Sequence, residues 1–127
     1  MASGFGKVLV VDDDVEIRET LSALLQHEGY DVSRAENGVQ ALEQLRRFHP
    51  DVVLLDLMMP VMSGWEVLDA LQESGEIDQV PIIVVSAMGA PGARACLRKP
   101  VDLDELLAVV GRCCCEGHDV PRIAAQR

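Results

Sequence analysis

The sequence predicts a single α/β domain in which a parallel β-sheet carries helices on both faces. Short aliphatic and β-branched runs alternate with amphipathic segments along most of the chain, and this order is typical of parallel strands joined by helices. The apolar runs do not alternate with polar residues, as expected for strands that are covered on both faces. At 127 residues, the chain has the length of one domain.

The first predicted strand, Lys7–Val11, is a β-branched run that stops at three aspartates. The segment after it has apolar residues at helical spacing and therefore predicts an amphipathic helix. Asp13 or Asp14 can cap this helix, and Gly29 ends it. Its apolar stripe consists of Ile17, Leu21, Leu24 and Leu25.

A second strand is expected over Tyr30–Arg34, followed by a turn at Asn37-Gly38 and a second helix that closes before Pro50. The inward face of this helix is predicted to hold Val39, Leu42 and Leu45.

The clearest central strand is Asp51–Asp56, since its four consecutive apolar residues indicate burial on both faces. A loop leads to a third helix over Trp65–Gln72, and Pro81–Ser86 forms the fourth strand. The inward residues of the third helix are predicted to be Val67, Leu68 and Leu71.

The short segment Ala95–Arg98 is compatible with a fifth strand, and Val101–Arg112 predicts the last helix. The inner face of that helix is predicted to hold Leu103, Leu106, Leu107 and Val110. Helical periodicity fails from Cys113 onward. We therefore expect an extension over residues 1–6, a domain over residues 7–112 and a tail over residues 113–127.

The charge and the cysteines restrict the classes of function. The chain has 11 Lys and Arg against 21 Asp and Glu, a net charge of −10, which disfavours direct DNA binding because phosphate contacts supply most of that affinity. No apolar run reaches the ~20 residues of a membrane span, and the N-terminus lacks a secretory core, so we expect a cytoplasmic protein without membrane contact. The adjacent Cys113, Cys114 and Cys115 lack the ligand spacing of structural zinc sites.

Acidic side chains follow two of the predicted strands. Asp12 and Asp13 come after the first strand and Asp56 ends the third, and the carboxyl ends of strands in an open parallel sheet form its binding edge. Three converging carboxylates repel one another unless a cation binds. Oxygen ligands suit Mg²⁺, which often acts together with phosphate oxygens. A carboxylate can itself become an aspartyl phosphate, with Ser86 and Lys99 available to bind the phosphoryl oxygens.

The segments VLVVDDDVEIRETL, DVVLLDLMMPVMSGWEVL, PIIVVSA and LRKPVDLDELL together resemble the response regulator receiver domain of two-component signalling, over about Lys7 to Arg112. The resemblance implies a flavodoxin-like fold with strand order 2-1-3-4-5. It also implies that a histidine kinase or phosphotransfer protein transfers a phosphoryl group to Asp56.

The resemblance extends to the other residues of the site. Asp12 and Asp13 match the acidic pair that holds Mg²⁺ together with Asp56, and Met58 matches the position that lends its backbone carbonyl to the metal. Ser86 matches the switch hydroxyl and Lys99 the phosphate-binding lysine. The peptide between Lys99 and Pro100 matches one that is usually cis in this family.

Two features depart from the family pattern. Only 12 residues, Ala87–Arg98, separate Ser86 from Lys99. If strand five begins near Arg94, the connection Ala87–Ala93 has seven residues, whereas a helical crossover between parallel strands needs at least about 10–12. A helix-free loop is therefore expected in place of the fourth helix, which leaves four helices rather than five. Cys96 stands where the family usually has an aromatic residue that reports on the switch hydroxyl, which puts that readout in doubt.

These features support three functional hypotheses. The leading one is a stand-alone phosphoacceptor that signals through altered protein contacts, with a partner or a second copy at an open apolar flank of strands four and five. The second is an interaction module that works without phosphorylation because its switch is impaired. The third, an aspartyl-phosphate phosphohydrolase, is disfavoured because Met58 occupies the place of that class's second acid.

Overall fold

The computed structural model describes residues 6–86, 96–98 and 102–116 of the chain. The five strands are β1 (Lys7–Val11), β2 (Asp31–Ala35), β3 (Val52–Asp56), β4 (Ile82–Ser86) and β5 (Cys96–Arg98). The helices in the described part are α1 (Val15–His27), α2 (Gly38–Phe48), α3 (Gly64–Ser74) and α4 (Leu103–Glu116), with a short 3₁₀ turn at Glu76–Asp78.

The strands form one parallel sheet in the order β2-β1-β3-β4-β5. This topology confirms the predicted flavodoxin-like fold. Apolar side chains of the central strands alternate between two buried clusters, one on each face of the sheet. One cluster includes Val67 and Leu71 of α3, and the other includes Leu21 of α1 and Leu106 of α4. Both faces are therefore covered, which explains why the strands read as continuous apolar runs.

Each of the first three helices begins at a side-chain cap. Asp14 accepts from the backbone N–H groups of Glu16 and Ile17, which selects Asp14 over Asp13 as the cap of α1. Asn37 accepts from the Gln40 amide, and Ser63 forms a reciprocal capping box with Glu66. These caps satisfy amides that have no partner inside the helix.

Two predicted inward residues are wrong. Val39 is exposed, because α2 buries Ala41 and Leu45, and a residue six positions before Leu45 lies about 120° away around the helix. Leu103 is also exposed, because it is the first residue of α4 and helical side chains tilt toward the N-terminus.

The last helix ends later than predicted. Its backbone continues to Glu116, so Cys113, Cys114 and Cys115 belong to α4 and not to a tail. The pattern misled because three consecutive cysteines have no apolar–polar alternation from which a helical face could be recognised. The first 10 residues of the helix do carry such a pattern, with Leu106 and Val110 fully buried.

The expected open flank on β4 is also wrong. All four aliphatic residues of β4 are buried: Ile82, Ile83, Val84 and Val85. Ile82 and Val84 share a buried cluster with Ile77 and Val80, which lie in and after the 3₁₀ turn, and with α3. The chain therefore covers this strand by itself, and β4 offers no apolar surface for a partner or a second copy.

The predicted loop between β4 and β5 lies outside the described residues, as do Lys99 and Pro100. β5 begins at Cys96 and pairs in parallel with β4, with Val84 opposite Cys96 and Ser86 opposite Arg98. The sequence therefore leaves nine residues, 87–95, between the two strands. Within the described ranges, no helix is long and apolar enough to span a membrane.

A salt bridge joins the end of α2 to the 3₁₀ turn and should make stability depend on pH. Arg46 contacts both carboxylate oxygens of Glu76, at 2.8 and 3.2 Å, and Ser74 donates to the same carboxylate at 2.6 Å. The hydrogen bond from Arg46, followed by that from Ser74, lowers the pKa of Glu76 from 4.5 to about 2.

Because the folded-state pKa is depressed, this stabilisation is present above about pH 4.5 and is lost as the pH falls toward 2. We expect the urea concentration at the unfolding midpoint to fall less steeply over that pH interval in Glu76→Gln than in the wild type. Glu73→Gln, which changes an exposed carboxylate on α3, is the matched control and should leave the slope in place. Equal slopes for the wild type and Glu76→Gln would contradict the assignment.

Candidate functional site

The register of the sheet brings the predicted acids together at one edge. Val11 of β1 lies opposite Leu55 of β3. The next residues along these two strands are Asp12 and Asp56, and they therefore lie side by side at the carboxyl edge. Asp13 follows directly in the segment that connects β1 to α1.

The three carboxylates form a compact cluster. Oxygen atoms of Asp12, Asp13 and Asp56 all lie within 4.8 Å of one another. Asp12 and Asp56 are 2% and 3% exposed, whereas Asp13 is exposed to solvent. Two carboxylates are thus held in the protein interior, and the third lies on the solvent side of the site.

Hydrogen bonds among the described residues hold both the backbone and the carboxylate of Asp12. Its N–H donates to the Ala35 carbonyl at 3.1 Å, at the end of β2. Its carboxylate Oδ1 accepts from the Asp14 N–H at 2.9 Å, and its carbonyl oxygen accepts from Arg18 Nη1 at 2.9 Å. These hydrogen bonds restrict the backbone that carries the Asp12 carboxylate.

Asp56 is the last residue of the buried strand β3, and the loop that follows the strand helps to position it. Its Oδ1 accepts from the Met58 N–H at 3.3 Å. The Gly64 N–H, at the start of α3, donates to the Leu57 carbonyl at 3.0 Å. The loop therefore folds back on the strand that carries Asp56.

This loop requires two glycines for close approach. A Cβ on Gly64 would lie 2.3 Å from the Asp56 carbonyl oxygen, and a Cβ on Gly38 would lie 2.6 Å from the Met62 carbonyl oxygen. The Gly38 N–H donates to that Met62 oxygen at 2.9 Å. Gly38 is thus the first residue of α2 and a packing contact, not a turn residue as the sequence suggested.

The loop also contains a strained residue. Val61 has φ of 70°, a left-handed conformation that β-branched residues avoid, and it is 80% exposed. A short turn spans it, in which the Met62 N–H donates to the Pro60 carbonyl at 2.7 Å. The hydrogen bond that spans Val61 and the one from the Gly38 N–H to the Met62 carbonyl hold the turn against this strain.

The chemistry of the cluster fits a magnesium ion. All three side chains offer carboxylate oxygens, which are the ligands that Mg²⁺ prefers, and the exposed Asp13 leaves a solvent side for the waters that Mg²⁺ usually retains. The backbone carbonyl of Met58, two residues after Asp56, remains a predicted fourth protein ligand.

The other predicted site residues are only partly placed. Ser86 is the last residue of β4 and lies one position beyond Val85, the register partner of Asp56. Cys96 is the first residue of β5. The side chains of Ser86 and Cys96, like the whole of Lys99 and Pro100, are outside the described part of the chain.

Two residues at the site were missed by the sequence analysis. Arg18 reaches the Asp12 carbonyl from α1, and Gly64 packs on the backbone of Asp56. A signal existed for Arg18, because a cation one helical turn after three acids lies within reach of them. No comparable local signal marks Gly64, whose partner is eight positions earlier in the chain.

Comparison with known proteins identifies the family. Residues 8–111 match the model of the response regulator receiver domain. Among curated relatives, the chain is 40% identical over 111 residues to the transcriptional regulatory protein CpxR homolog of Haemophilus influenzae. It is 41% identical over 111 residues to the response regulator MprA of Mycobacterium leprae. These alignments include 80% of this chain but only 47% and 48% of the relatives, so the chain spans about half the length of the curated relatives it matches.

Solved structures agree in fold. The receiver domain of the Francisella response regulator 1452 has a TM-score of 0.80 at 29% identity and covers 88% of this chain and 98% of its own. The chemotaxis response regulator CheY4 of Vibrio cholerae has a TM-score of 0.76 at 33% identity, with coverage of 86% and 98%. Since the family match includes both strands that carry the acids and extends into α4, the chain belongs to the response regulator receiver domain family of two-component signalling.

Proposed function

We propose that the chain is a phosphoacceptor in which Asp56 takes a phosphoryl group from a phosphohistidine on a histidine kinase or phosphotransfer protein. The observation that carries this proposal is the convergence of Asp12, Asp13 and Asp56 within 4.8 Å at the carboxyl edge of the sheet. Membership in the family supports it, since receiver domains are signalling domains of two-component systems.

Asp56 has the position that the reaction needs. In the proposed step, a carboxylate oxygen of Asp56 attacks the phosphorus, the new P–O bond forms, and the P–N bond to the donor imidazole breaks. The hydrogen bond between Asp56 Oδ1 and the Met58 amide limits rotation of the carboxylate. One carboxylate orientation is therefore favoured before the donor arrives.

Asp12, Asp13 and Asp56 are the residues that would hold Mg²⁺, and the bound ion would supply positive charge against the carboxylates and the phosphoryl oxygens. Ser86 and Lys99 are proposed to bind those oxygens after transfer. The chain would then act by a changed protein contact rather than by turnover of a substrate.

Phosphorylation by acetyl phosphate tests the proposal without a cognate kinase. We expect the intact mass to increase by one phosphoryl group in millimolar Mg²⁺ and to remain unchanged when EDTA removes the cation. Asp104→Asn, at an exposed acid in the first turn of α4, is the control and should label like the wild type. Absence of labelling in Mg²⁺ would favour the alternative of an interaction module that works without phosphorylation.

A further inference from the structure

We propose that Arg18 is a positioning residue of the metal site, which fixes the peptide of Asp12 and thereby the geometry in which the acids bind Mg²⁺. This inference rests on the proposed function, because it concerns the same three carboxylates. It adds Arg18 of α1, which contacts the backbone carbonyl of Asp12 and not its carboxylate.

The contact is short and sheltered. Arg18 Nη1 donates to the Asp12 carbonyl oxygen at 2.9 Å, and the Arg18 side chain is only 14% exposed. A guanidinium that is largely removed from water needs a polar partner. The carboxylate of Glu19 lies 4.0 Å from Arg18 Nε, at the limit of an ion pair, so the Asp12 carbonyl is the shorter of these two contacts.

Arg18 also closes a ring of hydrogen bonds around the acidic segment. The Asp14 N–H donates to Asp12 Oδ1, the Arg18 N–H donates to the Asp14 carbonyl at 2.9 Å, and the guanidinium returns to the Asp12 carbonyl. The first turn of α1 is therefore tied to the residue just beyond the end of β1. Because Asp13 lies between the tied residues, the ring restricts its backbone as well.

The position of Asp12 in the chain makes this restraint important. Asp12 follows the last residue of β1, and its N–H still reaches β2 through the Ala35 carbonyl. Its carbonyl is instead held by the Arg18 side chain. Loss of the guanidinium would remove this hydrogen bond, and small rotations of the peptide would displace the carboxylate from Asp56.

A neighbouring arginine provides a matched control. Arg34 of β2 contacts Glu19 at 3.4 Å and lines, together with Arg18, an open cleft of about 230 Å³ beside the site. Among the described residues, Arg34 forms its ion pair with Glu19 and not with Asp12. Arg34→Met removes the same charge from the same cleft, so a purely electrostatic role of the cleft would affect both variants alike.

The test is a Mg²⁺ titration of the full chain followed by the amide NMR shifts of Asp14 and Met58, whose N–H groups donate to Asp12 and Asp56. Loss of a group that holds a metal ligand in place costs about 10–100-fold in metal affinity. We expect Arg18→Met to raise the Kd at least about tenfold, and Arg18→Lys, which keeps a donor, to recover part of the loss. Arg34→Met should bind like the wild type.

Metal-free melting temperature and circular dichroism separate this role from a general loss of structure. We expect the Mg²⁺ affinity to fall in Arg18→Met while the metal-free fold persists. Should that variant not fold, Arg18→Gln, with a shorter polar side chain, replaces it in the titration. An affinity within twofold of the wild type, or an equal loss in Arg34→Met, would overturn the inference alone. Absence of Mg²⁺ binding to the wild type would overturn the metal site of the proposed function with it.

Discussion

Replacing Asp56 with asparagine is expected to abolish phosphoryl labelling by acetyl phosphate while the chain remains folded. The amide is nearly isosteric with the carboxylate but is not a nucleophile toward phosphorus, so no aspartyl phosphate can form at this position. Since Asp56 is 3% exposed at the end of a strand buried along its whole length, a change of similar volume is the least disruptive one available.

Intact-mass measurement in Mg²⁺ checks this expectation. Asp69→Asn is the matched control, because Asp69 is an exposed acid on α3 that does not belong to the described carboxylate cluster. The control should label fully. Undiminished labelling of Asp56→Asn would show that another side chain accepts the phosphoryl group.

Replacing Gly64 with alanine is expected to produce the largest loss of stability among conservative changes at the site. The added Cβ would lie 2.3 Å from the Asp56 carbonyl oxygen and 2.7 Å from Leu57 Cα. Both neighbours are backbone atoms of a buried segment, so neither can move alone. Overpacking of this kind costs about 1–3 kcal/mol, and the required shift also displaces Asp56, so labelling should slow.

Gly111→Ala is the matched control for this prediction. Gly111 lies inside α4, and among the described residues an added Cβ would meet the Tyr30 hydroxyl at an ordinary 3.7 Å. Alanine in a helix interior is favoured over glycine by about 0.5–1 kcal/mol. Urea unfolding should therefore move in opposite directions for the two variants. A Gly64→Ala chain as stable as the wild type would contradict the tight contact.

The fold could be predicted because its signals are local and repeated. Continuous apolar runs such as β3, with caps such as Asp14, indicate buried parallel strands and helix starts without any tertiary information. The acids could be predicted as a site because the parallel topology brings the ends of β1 and β3 to one edge.

What could not be predicted depends on contacts between distant segments. One apolar face of β4 was expected to be open because the connection after β4 is short. Ile82 and Val84 instead share a buried cluster with Ile77 of the preceding 3₁₀ turn and with Val80, which follows that turn. That turn has no periodicity from which its packing could be recognised. The Gly64 contact depends likewise on how the loop after Asp56 folds back.

The buried faces of the helices were predicted only in part. Val39 is apolar and near helical spacing with Leu42, but the face of α2 is decided by which residues meet β1 and β2. A small residue, Ala41, takes the central buried position. Hydropathy alone ranks valine above alanine, so the pattern added Val39 to a face whose other predicted members, Leu42 and Leu45, do pack inward.

Identification of the phosphorylated residue tests the central claim most directly. Borohydride reduces an aspartyl phosphate to homoserine, and fragmentation of the digested wild-type chain after labelling in Mg²⁺ then locates the converted side chain. We expect the conversion at Asp56 and at no other acid, and its disappearance when EDTA replaces Mg²⁺. Conversion at Asp12 or Asp13, or labelling that persists in EDTA, would contradict the proposed site.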